Sequence, residues 1–288
     1  MTVLRRHLIA SLVGAVCGLV FFAGVANAAD PAPLRMVVMD PLAAPLSCPC
    51  VKGYAQRDYA KLAEFLKRRI GRGVEVTFHD SLAEGLKEAG AKRADLVIGK
   101  HSVVLADAKS LALSLEPVVT LTGKNGDVHM TGLVVVPKND PAQVAADLKG
   151  YRIIFGPTMC DEKHSAAIAL LREAGVTVPT TPETCEACSD GAETILGLGN
   201  GVRAATVISS YAAPLLEGCG KIEKGDLRVV ATTAPVPFIE AFVATDLPET
   251  DRAKLVAALL ETGDDVPMRL ALESRRGFVE LAGKKKSR

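Results

Sequence analysis

The sequence predicts an α/β fold made of two successive units, in which short buried strands alternate with helices. Short apolar runs recur along the chain, and between them apolar residues fall at three- and four-residue intervals, as in helices. This alternation occurs in residues 34–99 and returns in residues 131–244. No Pro/Ser-rich linker separates the two units, so we expect lobes joined by strands, with the chain crossing near residues 119–131 and 230–237.

The first unit is predicted to begin with the apolar run at 34–39, followed by a Pro- and Cys-rich loop at 40–53. Leu62, Phe65 and Leu66 have helical spacing, and Gly71 is a typical residue for ending a helix. The predicted elements are strands at 34–39, 74–78 and 94–99, and helices at 58–70 and 82–89.

The second unit repeats the pattern and continues to the end of the chain. Its predicted elements are strands at 131–136, 151–155, 204–209, 227–231 and 241–244, and helices at 141–148, 165–174, 190–199, 251–262 and 268–273. Strands that alternate with helices favour mostly parallel pairing.

The N-terminal segment has the features of a secretory signal peptide. Arg5 and Arg6 precede an apolar stretch from Leu8 to Val25, and Ala26-Asn27-Ala28 supplies the small residues that signal peptidase requires. The alternative is an uncleaved membrane anchor, because the apolar stretch is just long enough to span a bilayer. We expect residues 1–28 to be removed and the protein to be periplasmic.

Composition and motifs exclude several classes of function. The 288-residue chain is 49% hydrophobic and 23% charged, which is typical of a globular protein. Its formal net charge of +1 gives no excess of basic residues for binding nucleic acid. It contains no Gly-x-Ser-x-Gly elbow, Walker loop, dinucleotide-binding glycine motif or His-Glu-x-x-His pattern. We therefore expect a monomeric protein that is not an enzyme, needs no cofactor and binds no nucleic acid.

The cysteines allow two interpretations. Beyond the signal peptide the chain has Cys48, Cys50, Cys160, Cys185, Cys188 and Cys219. An oxidising compartment favours disulfides, with Cys185–Cys188 as the expected local bridge. Thiolate and imidazole ligands also suit soft metals, and the metal-ligand candidates are Cys160, His164, Cys185 and Cys188. The sequence leaves both possibilities open.

Four stretches, at residues 59–71, 93–100, 123–136 and 147–156, resemble the phosphonate/phosphite-type substrate-binding proteins of ABC importers. This family is a branch of the type II periplasmic binding-protein fold. The resemblance implies two mixed sheets joined by a two-strand hinge, with a first lobe of residues 34–122 plus 236–288 and a second lobe of residues 123–235. It also implies a small-molecule or ion ligand held between the lobes and delivered to an ABC permease.

The chain departs from this family in one turn. Relatives hold an anion at helix N-termini rich in Ser and Thr, but here Gly156 is followed by Pro-Thr-Met-Cys-Asp-Glu-Lys-His-Ser. Asp161 and Glu162 would repel a dianion by about 1 kcal/mol per charge pair at about 4 Å in water, and by more in a closed cleft. We therefore expect that the protein does not bind a simple phosphonate tightly.

The candidate ligand-binding residues follow from the cleft-side loops that the resemblance implies. They are Cys48, Cys50, Tyr54, His101, Cys160, Asp161, Glu162, His164, Ser189, Ser210 and Tyr211. The alternative function is that of a periplasmic sensor, or of an accessory protein that binds a metal or thiophile in the same cleft.

Overall fold

The computed structural model describes residues 32–47, 56–199 and 201–281. The predicted signal peptide, together with Cys48, Cys50 and Tyr54, lies outside the described residues. In the described part of the chain, no helix combines the length and the apolar character needed to cross a membrane.

Most of the predicted strands and helices are present, together with elements that the sequence pattern did not indicate. The strands are β1 (Leu34–Met39), β2 (Val74–Phe78), β3 (Leu96–Lys100), β4 (Leu115–Leu121), β5 (His129–Met130), β6 (Gly132–Pro137), β7 (Arg152–Phe155), β8 (Glu183–Thr184), β9 (Ala204–Ser209), β10 (Leu227–Thr232), β11 (Val236–Pro237), β12 (Ile239–Ala244) and β13 (Phe278–Glu280). The helices are α1 (Tyr59–Ile70), α2 (Leu82–Glu88), α3 (His101–Ser110), α4 (Ser165–Glu173), α5 (Cys188–Gly197), α6 (Ala213–Gly218), α7 (Glu249–Glu261) and α8 (Val266–Ala271).

The strands form two sheets and a short connecting ribbon. The first sheet has the order β13-β4-β12-β3-β1-β2, and the second has the order β10-β6-β9-β7-β8. The chain leaves the first sheet after β4 and returns to it in β12, passing through β5 and β11, which pair with each other antiparallel. The predicted arrangement of two mixed sheets joined by a two-strand hinge is confirmed. We call the first sheet with its helices the first-sheet region, and the second sheet with α4–α6 the second-sheet region.

Pairing within the sheets is less parallel than strand–helix alternation suggests. β1 pairs parallel with β2 and β3, and β7 pairs parallel with β8 and β9. β12 runs antiparallel to β3 and β4, and β6 runs antiparallel to β9 and β10. The antiparallel strands flank the two passages through the hinge, where the chain enters or leaves a sheet without an intervening crossover helix.

Both faces of each sheet are buried, which explains the continuous apolar runs. In β1, Met36 and Val38 belong to one apolar cluster, whereas Val37 and Met39 belong to another. Successive residues of a strand point to opposite faces, so these two clusters lie on opposite sides of the first sheet. The same separation occurs at β6 in the second sheet.

Helix α1 illustrates how local sequence sets an element. The Asp58 carboxylate accepts a hydrogen bond from the backbone N–H of Lys61 at 3.0 Å and so caps the N-terminus. Gly71 ends the helix in the left-handed conformation, with φ of 68°. Between them, Leu62, Phe65 and Leu66 are buried against the first sheet.

The predicted helix at 141–148 is wrong. Only a short 3₁₀ turn, Ala145–Leu148, forms there. The Asp147 carboxylate accepts from the backbone N–H groups of Gln143 and Val144, and Asp140 accepts from Ala142. These side-chain bonds satisfy the backbone without an α-helix.

Other elements were not predicted. Helix α3 begins at His101 directly after β3, without a side-chain cap, so its Val103-Val104 pair looks like a continuation of the strand. Strand β4 also extends the first sheet across residues where the sequence predicts the start of the crossing.

The fold predicts a large cost for emptying the centre of the first sheet. Phe242 lies in β12 between β3 and β4 and is 0% exposed. Phe242→Ala should lower the free energy of unfolding by about 3–5 kcal/mol, because the cavity left behind cannot fully collapse. Denaturant unfolding measures this. The matched control Val229→Ala, at a residue 48% exposed in β10, should change stability by less than about 0.5 kcal/mol. Equal effects of the two substitutions would contradict the assigned core.

Candidate functional site

Polar residues gather where strands of both sheets end. Asp40 directly follows β1, Lys100 ends β3 and Ser209 ends β9. All three side chains are buried. In open α/β sheets the crevice beyond the carboxyl ends of the strands is the usual ligand position, so this region is the candidate site.

Glu162 joins the two regions at this position. Its Oε1 atom accepts a hydrogen bond from Lys100 Nζ at 2.6 Å and another from Ser209 Oγ at 2.6 Å. Lys100 comes from the first sheet, whereas Ser209 comes from the second. The Glu162 side chain is 0% exposed and that of Lys100 is 7% exposed, so this is a fully buried ion pair. We call Lys100, Glu162 and Ser209 the central triad.

The second carboxylate oxygen of Glu162 is unpaired. Among the described residues, Glu162 Oε2 is one of a few buried side-chain atoms without a hydrogen-bond partner. Burying an unsatisfied acceptor costs free energy, about 1–3 kcal/mol for an ordinary group and more for a charged one. This oxygen therefore keeps an unused hydrogen-bond acceptor site in the contact between the two regions.

Gly132 permits the turn that carries Glu162 to approach strand β6. A Cβ atom at Gly132 would lie 2.0 Å from the backbone oxygen of Glu162. Any larger residue would have to displace the turn. Position 132 is thus restricted to glycine by the position of Glu162.

The turn at residues 157–164 docks on the start of helix α3. Ser102 Oγ donates to the backbone oxygen of Met159 at 2.7 Å, and the backbone N–H of Asp161 donates to Ser102 Oγ at 3.3 Å. The Cys160 side chain is 8% exposed and belongs to an apolar cluster whose other members come from the first-sheet region. The turn therefore contacts the first-sheet region through polar and apolar groups together.

Three thiols lie around the buried ammonium group of Lys163. Burial lowers the pKa of Lys163, but the negative charges that Cys188, Cys160, Glu162 and Cys185 carry at the alkaline pH where a lysine titrates outweigh this effect and raise the pKa above its ordinary value. Burial in turn raises the pKa of the Cys160 thiol, although Lys100 and Lys163 oppose the rise. Burial raises the pKa of Cys185 in the same way. Cys160 and Cys185 are therefore neutral thiols near pH 7.

An aromatic stack connects the two regions beside the central triad. The rings of Tyr211 and Phe238 stack with centroids 5.1 Å apart, and the Arg57 guanidinium lies over the Phe238 ring at 5.5 Å. Arg57 Nη1 donates to Asp40 Oδ2 at 2.7 Å. Burial raises the pKa of the Tyr211 hydroxyl well above its ordinary value, and the charges of Cys188, Glu162, Cys160 and Asp40 add to this effect.

A cavity of about 440 Å³ opens beside this stack. Its lining comes from both regions and from the hinge, and it includes Leu42, Arg57, Lys124, Asp127, His129, Met130, Ser210, Tyr211, Leu215, Phe238 and Glu273. Ligand pockets commonly have volumes of about 300–1,000 Å³, so this cavity is large enough for a small solute. Its lining combines apolar and aromatic walls with charges of both signs.

Several of the predicted site residues make local contacts instead of joining the central triad. His101 Nδ1 lies 2.5 Å from Glu240 Oε2 within the first-sheet region. Asp161 accepts from Ser165 Oγ at 3.0 Å, and Ser189 donates to the neighbouring Asp190 at 3.2 Å. Of the two acidic residues predicted to face the ligand, only Glu162 joins the triad.

Ser210 and Tyr211, two of the predicted ligand-binding residues, line the cavity. Ser210 Oγ also accepts from the backbone N–H of Thr131 at 3.2 Å, so this residue helps to hold the hinge. Cys160 contacts the triad, with its Sγ 3.5 Å from Lys100 Nζ. The contributions of Cys48, Cys50 and Tyr54 fall outside the described residues.

The predicted Cys185–Cys188 bridge is wrong, because both residues are free thiols, as is Cys160. The two sulfurs have different surroundings. Cys185 Sγ lies near the backbone oxygens of Phe155 and Ala187, whereas Cys188 Sγ accepts from the backbone N–H of Ser209 at 3.4 Å. Cys219 is disulfide-bonded.

The suggested metal set is not assembled. Within residues 32–47, 56–199 and 201–281, no three His, Cys, Asp or Glu side chains are grouped so that they could hold a metal ion. His164 Nδ1 lies 2.9 Å from the backbone oxygen of Gly156, and its ring packs edge-on against Phe155. The imidazole is thus directed at its own turn.

The prediction of site residues missed Lys100 and Asp40. Each lies within a few residues of a predicted strand or helix end, and Lys100 is the single charged residue in an otherwise apolar buried strand. A charge at the end of a buried strand was the signal that could have identified Lys100. Its pairing with Glu162, 62 positions away, has no sequence signal.

Comparisons with known proteins agree on the fold. Residues 53–284 match a family model described as ABC transporter, phosphonate, periplasmic substrate-binding protein. A search of curated proteins finds no match.

Three solved structures illustrate the structural similarity. The binding-protein component of an ABC phosphonate transporter from Pseudomonas aeruginosa has a TM-score of 0.63 and 13% identity, covering 88% of this chain and 82% of its own. PhnD1 from Prochlorococcus marinus, in complex with methylphosphonate, has a TM-score of 0.60 and 14% identity, covering 88% of this chain and 94% of its own. A Xanthomonas citri protein bound to ATP has a TM-score of 0.65 and 15% identity, covering 88% of this chain and 92% of its own. At these identities the likeness establishes the fold.

The thiol assignments predict the outcome of peptide mapping. Protein denatured and alkylated without reductant should carry the label on Cys160, Cys185 and Cys188, because all three are free. In the native protein Cys160 should react more slowly than the half-buried Cys188, since Cys160 is 8% exposed and its raised pKa keeps the reactive thiolate scarce. A sample reduced before labelling is the control. A cross-linked Cys185–Cys188 peptide in the unreduced sample would contradict the structure.

Proposed function

The chain belongs to the family of periplasmic phosphonate substrate-binding proteins of ABC transporters, and we propose that it captures a small solute of mixed polar character rather than a simple phosphonate dianion. Members of this family are transport proteins that present a small ligand to a membrane permease. The proposal concerns which solute this chain takes and which residues hold it.

The cavity beside the aromatic stack carries the proposal. It lies where the two regions and the hinge meet, so a solute held there touches all three. Tyr211 and Phe238 supply a flat apolar wall, while Arg57 and Asp127 supply charges of opposite sign. A solute with an apolar body and both donor and acceptor groups fits this lining.

The charge at the neighbouring triad argues against a dianion. Glu162 lies at the carboxyl ends of the strands, where relatives of this fold place their ligand. A dianion brought to about 4 Å from this carboxylate would be repelled by roughly 4 kcal/mol per charge pair at an effective dielectric constant of about 20. The Lys100 ammonium offsets part of this repulsion, but it is already bound to Glu162 Oε1 and is not free to bind the dianion. The unpaired Glu162 Oε2 favours instead an ammonium, guanidinium or amide group of the solute.

Capture requires that the two regions separate. We assign residues 34–122 plus 236–288 to one lobe and residues 123–235 to the other, with β5 and β11 as the hinge between them. The contacts of the 157–164 turn with α3 then correspond to a closed arrangement of these lobes.

Several further properties complete the proposal. We assign residues 1–28 to a cleavable signal peptide that delivers the protein to the periplasm, on the sequence features given above. The protein acts as a monomer without a catalytic role, and its near-neutral charge offers no surface for nucleic acid.

A thermal-shift screen of the purified protein tests the proposed solute class. Amino acids, guanidino compounds and polyamines form one set, and methylphosphonate, phosphite and sulfate form the other, with Cu(I) as a thiophilic probe. A member of the first set should raise the melting temperature with concentration, by an amount equivalent to about 2.7 kcal/mol at a hundredfold excess over its dissociation constant.

Tyr211→Leu should weaken the binding of the ligand found in this screen at least about tenfold, because the substitution removes the stacked wall and the hydroxyl.

Tyr151→Leu is the matched control. Tyr151 is another tyrosine of the second-sheet region. Its hydroxyl donates to Asp140 Oδ1 at 2.8 Å, and it is not part of the cavity lining. Its substitution should leave ligand binding intact. Tight binding of methylphosphonate to the wild-type protein would overturn the proposed solute class, and stabilisation by Cu(I) alone would favour a thiophile-binding accessory protein instead.

A further inference from the structure

The donors of the central triad form a small oxyanion-binding arrangement. Lys100 Nζ and Ser209 Oγ both donate to one oxygen, Glu162 Oε1, each at 2.6 Å. One donor is an ammonium group and the other a hydroxyl, and both residues are buried at strand ends of different sheets. Two convergent donors, one of them charged, are what a carboxylate, phosphonate or sulfonate oxygen requires.

In this protein the oxyanion is supplied by the chain itself. Glu162 lies in the turn between β7 and α4, and its carboxylate is held at the donors by the same chain. An intramolecular group competes with free solutes at a high effective concentration, about millimolar or more for short connections. A dissolved oxyanion would have to displace Glu162 before reaching Lys100 and Ser209.

We propose that Glu162 is a specificity-determining residue that fills an oxyanion site from within and thereby excludes small oxyanions from it. The inference deepens the proposed function and depends on its placement of the ligand site between the two sheets. It makes a definite chemical prediction, because the site should bind an external oxyanion once the internal one is removed.

The geometry identifies the substitution and the probe. Glu162→Ala deletes the side chain beyond Cβ, which is a methylene group and a carboxylate. Acetate is the free molecule closest in size and charge to those atoms, and methylphosphonate is its analogue with a phosphonate group. Both probes should occupy the vacated space and accept from Lys100 and Ser209.

Asp161 provides a matched control one position earlier. Its carboxylate is also in the 157–164 turn, but it accepts from Ser165 Oγ at 3.0 Å instead of facing the two donors. Asp161→Ala therefore removes an equal charge from the same turn and leaves the internal oxyanion in place. A second variant, Lys100→Met/Glu162→Ala, removes the charged donor together with the carboxylate.

The experiment measures the melting temperature of the four proteins against acetate and methylphosphonate concentration, with chloride at equal ionic strength as reference. Glu162→Ala should be stabilised progressively by at least one of the two probes, with a midpoint at least about tenfold lower than in the wild-type protein. Asp161→Ala should respond like the wild-type protein, and the double variant should lose the gain.

The proposal is overturned if neither probe stabilises Glu162→Ala more than chloride does, whether that variant is well folded or only partly folded without a probe. It is also overturned if Asp161→Ala gains the same response, because the effect would then come from net charge alone. This experiment does not use the native solute. It can therefore fail while the solute screen of the wild-type protein succeeds, and it can succeed while that screen fails.

Discussion

The buried ion pair between Lys100 and Glu162 determines how the two sheets meet. Both side chains are removed from water, and a charge in that position is stable only when its partner and further hydrogen bonds are present. Ser209 supplies one such bond from the second sheet. Because one charge belongs to each region, the regions cannot separate without breaking the pair or exposing it to solvent.

Several neighbouring residues hold the turn that carries Glu162 in place. Gly132 leaves room for the backbone of the turn, and a Cβ atom at Gly156 would lie only 2.5 Å from Lys163, so glycine is needed at both positions. Cys160 anchors the turn in the apolar cluster of the first-sheet region, and Ser102 fixes its backbone. The turn therefore contributes to specificity as well as to the contact between the two regions.

The chemistry of this site differs from that of a simple anion cradle. Open α/β sheets usually hold a ligand beyond the strand ends. Here that position contains a carboxylate, three reduced thiols around Lys163, and an aromatic stack beside a cavity with a mixed polar lining. A family assignment thus identifies the mode of binding, whereas the side chains in the cleft decide which solute is accepted.

Sequence patterns predicted the elements better than the site. Strands 34–39 and 204–209 were predicted at their observed bounds, because apolar runs buried on both faces have a clear pattern. Strand 74–78 was also predicted at its observed bounds, but from the alternation of apolar and polar residues. Helix α3 was missed because it follows β3 without a break. The sequence showed that the acidic turn departs from the turn of the related family. Which of Asp161 and Glu162 faces inward depends on the backbone of the turn, and the partner Lys100 lies far away along the chain. Such long-range side-chain pairings arise from tertiary packing and leave no periodic signal.

The central claim, that Lys100 and Glu162 form a buried ion pair that couples the two regions, is tested most directly by a double-mutant cycle. Lys100→Met and Glu162→Leu should each lower the free energy of unfolding by about 3–5 kcal/mol, because each leaves a buried charge alone. The double substitution should cost less than either single one, since it removes both charges and retains apolar volume. Additive costs, or single costs below about 1 kcal/mol, would contradict the account.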